Sequence, residues 1–386
     1  MSFSGTFRES YVMKVLYLFR SLAVYGGIER VLIDKMNALC RMYGMDVYML
    51  TTDQGNHPIP YHLENKVHIE DLNIRFHQQY QYNIIKRQWV KKRLKQKYEQ
   101  RLAERIHHIK PDIMVCTSAD HIDSLVKLKG SVPLVVESHS VCLRTIEAGG
   151  CWLQRKWYKY HYLKALSKVN VIIALTEGDA NEWRKIHPYV AVIPNVVYLN
   201  DGAVSTLDKK RVIWVGRFDY QKLPLEMVRI WEKIQPLFPD WQLDMFGAGE
   251  QQKEIEEKVR SLGLNIKIHQ PTGRIFDFYR ESSVLVSTSL FEPFGLVIPE
   301  AMSCGLPVVA FDCPYGPSSI ISDGADGFLI VNRNIQLFIE KVCLLMGDES
   351  LRLKLGKAAS DSSLRYCASN IIPQWKQLFE QFTKEK

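Results

Sequence analysis

Two carboxylates lie eight positions apart in a loop that runs into a short helical pattern. The segment 289–305, SLFEPFGLVIPEAMSCG, carries Glu292 in the loop and Glu300 in the predicted helix. Amides at a helix start lack an intrahelical acceptor and can bind a phosphate or a hydroxyl. Gly295 allows a ligand close to the backbone, and Pro299 places the helix start near residues 296–298. The segment therefore offers amides for a phosphate and carboxylates for sugar hydroxyls, although alone it could be an ordinary exposed junction.

Two cations follow the first predicted strand of the second half of the chain. Gly216 and Arg217 end that strand, and Lys222 comes five residues after Arg217, in VGRFDYQKL. Cations at this position can hold a diphosphate and stabilise the charge that builds on it as a leaving group. The alternative is a pair of surface cations beside a turn.

Three turns and one histidine add weaker candidates. Gly27 belongs to a glycine pair between the first strand and the first helix, Gly247 lies in the turn FGAGE, and Arg274 ends the turn TGR. Glycines here let the backbone approach a ligand at a helix N-terminus, or they merely turn the chain. His139, in ESHS, ends a buried strand and could hydrogen-bond a sugar or serve only as a structural hydrogen-bonder.

These residues sit in a repeating pattern of short apolar runs and longer helical patterns. The runs are near-continuous, as in parallel strands that are buried on both faces. They cover residues 14–19, 46–51, 112–117, 133–138, 170–175, 211–216, 241–246, 265–269, 283–288, 307–311 and 327–331. The pattern restarts after a turn-rich stretch at 194–210, which we interpret as a linker. The prediction is an α/β protein of two Rossmann-like domains, with the ligand in a cleft between them.

Composition limits the class of protein. The chain has 386 residues, of which 46% are hydrophobic and 24% charged, as in a folded soluble protein of two domains. It has no apolar run long enough to cross a membrane and no signal-peptide pattern at its start, so we expect a cytoplasmic protein. Eight cysteines form no C-x-x-C pair, which favours reduced thiols over a metal or disulfide role.

Positive charge is concentrated in the first half of the chain. Residues 1–200 carry a net charge of +10 and residues 201–386 a net charge of −2. Ten Lys and Arg fall within 86–110, where apolar residues recur every four positions, and residues 151–168 mix cations with Trp and Tyr. The two stretches fit an anionic membrane surface as well as they fit solvated helix faces. No nucleic-acid-binding motif accompanies them, so no nucleic-acid partner is expected.

Together these motifs resemble glycosyltransferase family 4, the GT-B-fold group of retaining sugar transferases. The matching segments are GGIERVLIDKMNAL, VGRFDYQK, FGAGE and FEPFGLVIPEAMSCGLPVVAFDCPYGPSSII. The resemblance covers most of the chain and is weakest over residues 55–165. It implies an acceptor domain at 1–200, a donor domain at 201–365 and a final helix at 366–386 that crosses back to the first domain.

The resemblance also implies a role for each matching residue. Glu300 would bind the ribose and Glu292 the donor sugar, while Arg217 and Lys222 would hold the diphosphate. The residues implied in catalysis are Arg217, Lys222, Glu292 and His139. The residues implied in donor binding are Gly27, Gly216, Gly247, Arg274, Phe294, Gly295, Leu296, Val297 and Glu300. Leu223 departs from the family, which more often has Gly after the lysine.

The implied activity is transfer of a hexose or N-acetylhexosamine from a nucleotide diphosphate sugar to a glycan or lipid-linked acceptor. Residues 312–317, DCPYGP, are similar to versions found in users of UDP-sugars. No DxD-like motif is present, so neither a metal nor another cofactor is expected. Two alternatives remain open: a GT-B sugar-nucleotide epimerase, and a non-catalytic nucleotide-sugar-binding protein at the membrane.

Overall fold

The computed structural model describes residues 11–24, 26–117, 121–146 and 152–383, which form two parallel β-sheets flanked by helices. The first sheet has the strand order β3-β2-β1-β4-β5-β6-β7. Its strands are β1 (Lys14–Phe19), β2 (Asp46–Thr51), β3 (Val67–Asp71), β4 (Ile113–Cys116), β5 (Leu134–Glu137), β6 (Val171–Ala174) and β7 (Val190–Val192). The helices between them are α1 (Gly27–Tyr43), α2 (Ile84–Ile109), α3 (Ile122–Leu128), α4 (Cys142–Ile146), α5 (Trp152–Leu166) and α6 (Glu177–Arg184).

The second sheet has the order β10-β9-β8-β11-β12-β13. Its strands are β8 (Arg211–Val215), β9 (Gln242–Phe246), β10 (Ile266–His269), β11 (Val284–Ser287), β12 (Val308–Phe311) and β13 (Gly327–Ile330). Its helices are α7 (Pro224–Ile234), α8 (Gln252–Ser261), α9 (Ile275–Arg280), α10 (Val297–Ser303), α11 (Gly316–Ile320), α12 (Ile335–Gly347) and α13 (Glu349–Ser363). The chain then continues into α14 (Ala368–Thr383).

All eleven predicted strands are present, and the predicted fold class is confirmed. The prediction missed β3 and β7, which form the two edges of the first sheet. The strand β7 is apolar but has only three residues, whereas β3 is covered less completely and needs no continuous apolar run. The sequence of β3, VHIED, alternates instead, with Val67 buried and His68 and Glu70 exposed.

Each sheet has a point at which the order of its strands reverses. The strand β1 lies between β2 and β4, and β8 lies between β9 and β11. In such sheets ligands bind outside the carboxyl ends of the strands at this reversal. The fold therefore provides two ligand-binding edges, one for each sheet.

The last helix packs on the first sheet although it follows the second. Trp375 and Phe379 of α14 lie in the same buried core as Val15 and Tyr17 of β1. The stretch 193–210 between the two sheets contains no helix or strand. Within the described residues, no helix is both long and apolar enough to cross a bilayer, and no cluster of His, Cys, Asp or Glu could hold a metal.

Candidate active site

The centre of the site is a buried ion pair between Lys222 and Glu292 at the carboxyl edge of the second sheet. Lys222 Nζ contacts Glu292 Oε1, and the Ser289 hydroxyl donates to the same oxygen at 2.7 Å. The side chains of Lys222 and Glu292 are only 15% and 6% exposed. Asp219 Oδ1 accepts from the Lys222 amide at 3.1 Å and so fixes the loop before α7. The fold therefore joins two residues that are 70 positions apart in the chain.

The backbone conformation of Leu223 explains why the family more often has glycine after this lysine. It precedes α7 with φ 50° and ψ 53°, which is the left-handed region that favours glycine. The main-chain path that the family resemblance implies is therefore present with a leucine in the glycine position.

The loop before α10 turns at Gly295, whose φ of 95° suits glycine. The helix α10 begins at Val297, which confirms the predicted start, while Phe294 is buried against Tyr366. Among the described residues, none accepts a hydrogen bond from the amides of Phe294, Gly295 or Leu296. Glu292 is held by main-chain bonds to the segment 314–316, its amide donating to Pro314 O at 2.8 Å.

Gly216 and Gly247 form the closely packed floor of the same edge. The Gly216 amide donates to Phe246 O at 3.0 Å, and a Cβ on Gly247 would overlap the carbonyl oxygen of Gly216. The aliphatic part of Lys222 covers Gly216, since a Cβ there would lie 3.2 Å from Lys222 Cγ. Glycine at 247 is thus required by the close approach of two loops.

Two predicted cations lie further out. Arg217 is 67% exposed, and its guanidinium contacts Asp219 Oδ2 at 3.0 Å and Gln221 Oε1 at 2.9 Å. Arg274 is 83% exposed and pairs with Asp277 at 2.8 Å. Neither joins the Lys222–Glu292 pair in this arrangement.

Glu300, in α10, is buried and forms an ion pair with an arginine of the first domain. Arg30 Nη1 of α1 lies 2.9 Å from Glu300 Oε1, and the Tyr279 hydroxyl donates to Oε2 at 3.4 Å. Burial raises the pKa of Glu300 even though Arg30 opposes the shift. Arg30 also lies over the ring of Tyr198, 5.6 Å from its centroid. Arg30 was not predicted as a site residue from the sequence. Its position in the first turn of the helix that begins at Gly27 could have indicated it.

His139 lies at the carboxyl edge of the first sheet, over a buried acid–base pair. Lys35 Nζ of α1 contacts Glu137 Oε2 and lies 4.1 Å from the ring centroid of Trp375. His139 Nε2 lies 3.3 Å from Glu137 Oε1 without good hydrogen-bond alignment. Burial alone would raise the pKa of Glu137, but Lys35 and His139 outweigh it and lower that pKa to about 2. Lys35 and Glu137 were not predicted from the sequence.

His139 also lines a cavity of about 630 Å³ in the first domain. The cavity lies at the carboxyl ends of β1, β4 and β5, between α1, α4 and α5. Its size is that of a pocket for one small ligand. Its polar lining includes Arg20, Glu29 and Arg144.

Contacts across the cleft bring this cavity close to the Lys222–Glu292 pair. The Arg144 guanidinium carbon lies 3.4 Å from the ring centroid of Phe291, the residue before Glu292. A Cβ on Gly27 would lie 3.2 Å from Leu296 Cδ1. The two ligand-binding edges therefore face each other across one cleft.

Comparison with known proteins identifies the group to which this architecture belongs. Residues 25–201 match the model for Glycosyltransferase Family 4, and residues 202–362 match the model for Glycosyl transferases group 1. An uncharacterized glycosyltransferase of Haemophilus influenzae is 24% identical over 94% of this chain and 99% of its own length. The amylovoran biosynthesis glycosyltransferase AmsD of Erwinia amylovora is 30% identical over 54% of this chain and 61% of its own length. Some other relatives are longer, and the match spans only 24% and 25% of two of them.

The fold is shared with solved structures. The crystal structure of a Staphylococcus aureus TarM mutant, in complex with fondaparinux, alpha-GlcNAc-glycerol and UDP, superposes with a TM-score of 0.77. It is 16% identical, over 95% of this chain and all of its own. The two family models together span residues 25–362, and the chain belongs to the family 4 glycosyltransferases of the GT-B fold.

Proposed function

We propose that this glycosyltransferase moves a hexose or N-acetylhexosamine from a nucleotide diphosphate sugar to a glycan or lipid-linked acceptor, with retention at the anomeric carbon. The observation that carries the proposal is the buried Lys222–Glu292 pair, which faces the first-domain cavity across the cleft. A cation for the diphosphate and a carboxylate for the sugar thus lie next to the space for an acceptor.

The chemistry that these residues support is electrostatic. A bound diphosphate would compete with Glu292 for the Lys222 ammonium, which would free the carboxylate to accept from a sugar hydroxyl. Arg217, exposed at the same edge, would approach the diphosphate from the solvent side. Fixed donors aimed at developing charge in a water-poor site lower the barrier to leaving-group departure. The proposed reaction is a front-face substitution: the acceptor hydroxyl attacks the anomeric carbon as the bond to the diphosphate breaks, and the leaving phosphate takes the acceptor proton.

Glu300 would bind the ribose, and UDP is the proposed nucleotide. The support for UDP is the DCPYGP segment at 312–317 and the UDP bound by the TarM mutant, whose fold this chain shares. A role in cell-surface polysaccharide synthesis is supported by the name of the Erwinia relative. We further propose that no metal takes part, because Lys222 and Arg217 supply the positive charge; activity should then survive EDTA, and its loss would contradict this.

The test is a thermal-shift panel of UDP, GDP, ADP and NAD, followed by UDP-sugar turnover. A ligand at 100 times its Kd should stabilise the protein by about 2.7 kcal/mol. We expect a rise in Tm with UDP. A rise with GDP or ADP instead would overturn the choice of nucleotide, and a rise with NAD alone, or with none of them, would overturn the proposal.

We also propose that α2 and α5 form a basic and aromatic surface for the inner face of the plasma membrane. The apolar stripe predicted in 86–110 is buried at Tyr98 and Leu102, but Val90, nearer the start of α2, is only partly buried. Trp89 is 61% exposed with Arg93 against its ring, and Trp152 of α5 is 64% exposed with Lys156 against its ring. The helices α2 and α5 both pack against α3 and contribute to the same buried core on one face of the first sheet. Cys151, also in the predicted stretch, lies outside the described residues.

Vesicle sedimentation tests this surface. Replacing Trp89 and Trp152 by Ser should release the protein from vesicles that contain an anionic lipid, because exposed aromatics and cations bind such surfaces together. Leu237→Ser, at an exposed apolar residue of the second domain, is the matched control. Equal sedimentation of the double variant and the wild type would rule out this contact.

A further inference from the structure

The first-domain cavity carries an excess of positive charge that faces its ligand. Arg20 and Arg144 line it, together with Glu29 and Glu137. The charge of Glu137 is matched by Lys35, which lies behind it, so the two arginines exceed the remaining carboxylate, Glu29, by one positive charge. The cavity therefore favours a ligand that carries negative charge.

Both arginines have guanidinium N–H groups that can still donate hydrogen bonds to a ligand. Arg20 is 69% exposed, and its Nε lies 3.9 Å from Asp53 Oδ2, a long contact to a carboxylate that already binds His77 Nδ1 at 2.8 Å. Among the described residues, no carboxylate pairs with Arg144. The Arg144 guanidinium carbon lies over the Phe291 ring, and a guanidinium that stacks on an aromatic face keeps the N–H donors at its edge for hydrogen bonds.

The remaining lining suits a sugar. Phe19, Tyr158 and Tyr162 supply aromatic surface, and Ser138, Ser140 and Thr145 lie among them with hydroxyl groups. His139 Nε2 is buried at the same wall and has no well-aligned partner within the described part of the chain. A polar ring with an attached anion would use each of these features.

We propose that the cavity binds an acceptor whose accepting sugar or polyol carries a phosphate, and that Arg20 and Arg144 hold this phosphate. The inference rests on the proposed function, because it takes the cavity as the acceptor side of a sugar transfer. The planar guanidinium fork matches two phosphate oxygens at once. Because Arg144 lies on Phe291, the bound phosphate would be anchored beside Glu292 and the donor sugar. A phosphodiester chain and a diphosphate-linked lipid both present this chemistry.

The test measures binding to the full chain saturated with UDP, so that phosphate probes cannot occupy the donor side. The probes are a short oligomer of glycerol phosphate, N-acetylglucosamine joined to an octyl chain through diphosphate, and the neutral octyl glycoside of the same sugar. At least one phosphate-bearing probe should bind about tenfold or more tightly than the neutral glycoside. Which of the two does so distinguishes a phosphodiester acceptor from a diphosphate-linked one.

Arg144→Gln and Arg20→Gln should each weaken binding of that probe about tenfold and leave UDP affinity unchanged. Arg184→Gln is the matched control, since Arg184 is an exposed arginine of the same domain that pairs with Glu177 outside the cavity. A melting curve of each variant confirms folding. The proposal is overturned if no phosphate-bearing probe outcompetes the neutral glycoside, or if the preference survives both substitutions.

Failure of the proposed function would look different. If UDP does not bind the wild type, the donor assignment fails, whereas an arginine-dependent phosphate preference would still support the cavity as a phosphate site. If UDP binds all variants and the preference is absent, the acceptor inference alone fails.

Discussion

The two sides of the cleft differ in how their charged groups are paired. On the second-domain side the charged groups are paired with each other: Lys222 with Glu292, and Glu300 with Arg30 from across the cleft. On the first-domain side one ion pair, Lys35 with Glu137, is buried below the cavity, while Arg20 and Arg144 face the open space. The first arrangement would pre-form a site for the proposed donor, a nucleotide diphosphate sugar. The second holds its supporting groups fixed and would leave its binding groups open for the proposed acceptor.

Removing the buried cation of the first-domain side should have the largest effect. Lys35→Met leaves Glu137 charged and buried without its partner, and we expect a loss of about 3–5 kcal/mol in the free energy of unfolding. The double variant Lys35→Met, Glu137→Leu should recover part of this, because no lone charge remains. Denaturant unfolding measures both. A small loss in the single variant would mean that this pair does not support the cavity.

The Lys35–Glu137 pair should also make the stability of the protein depend on pH. The folded pKa of Glu137 is about 2, below the ordinary value of 4.5, because Lys35 and His139 favour the ionised form against burial. Its stabilising contribution is therefore complete above about pH 4.5 and is lost as the pH falls towards 2. Wild-type stability measured across this window should fall more steeply than that of the double variant, and parallel curves would contradict the assignment.

Substitution of Lys222 and Arg217 tests whether the cations of the second-domain side stabilise the leaving group. Lys222→Ala and Arg217→Ala should each lower turnover about 10²-fold or more, as the loss of one transition-state donor does. Lys233→Ala, an exposed lysine in the last turn of α7, is the control. Unchanged turnover in both variants would remove the diphosphate role from this edge of the sheet.

Glu300→Gln should mainly weaken nucleotide binding, by about tenfold, since an amide accepts ribose hydroxyls less strongly than a carboxylate does. Titration calorimetry with UDP measures this, and Glu281→Gln at an exposed position after α9 is the control. An unchanged Kd would leave Glu300 as a domain contact to Arg30 only.

The smallest expected effect concerns Leu223. Leu223→Gly removes the strain of a left-handed backbone but increases the conformational entropy of the unfolded chain. We therefore expect the free energy of unfolding to rise by about 1 kcal/mol or less. Leu262→Gly, at an exposed leucine with φ −94°, should instead destabilise the protein by about 0.5–1 kcal/mol. Equal effects of the two substitutions would show that backbone strain at Leu223 is not the reason for glycine in the family.

The sequence by itself determined the elements and the loops that carry the second-domain site. The apolar runs that became β8 and β11 are continuous because both faces are buried, and Gly295 and Pro299 place the turn and the start of α10 by local geometry. Local patterns of this kind do not depend on how the two domains meet. They were sufficient to predict two parallel sheets and a cleft between them.

Only the tertiary structure decided the partners. Arg30 and Glu300 are 270 positions apart, Lys35 meets both Glu137 and the ring of Trp375, and Arg144 lies on Phe291. The contacts of Arg30 and Arg144 depend on one domain docking on the other, and the contact with Trp375 depends on the last helix returning to the first sheet. The Lys35–Glu137 pair depends on α1 packing beside β5 within the first domain, and no residue spacing records any of these events. The physical reason is that side-chain charge pairing acts over a few ångströms in space, whereas residue spacing specifies only neighbours along a helix, a strand or a turn.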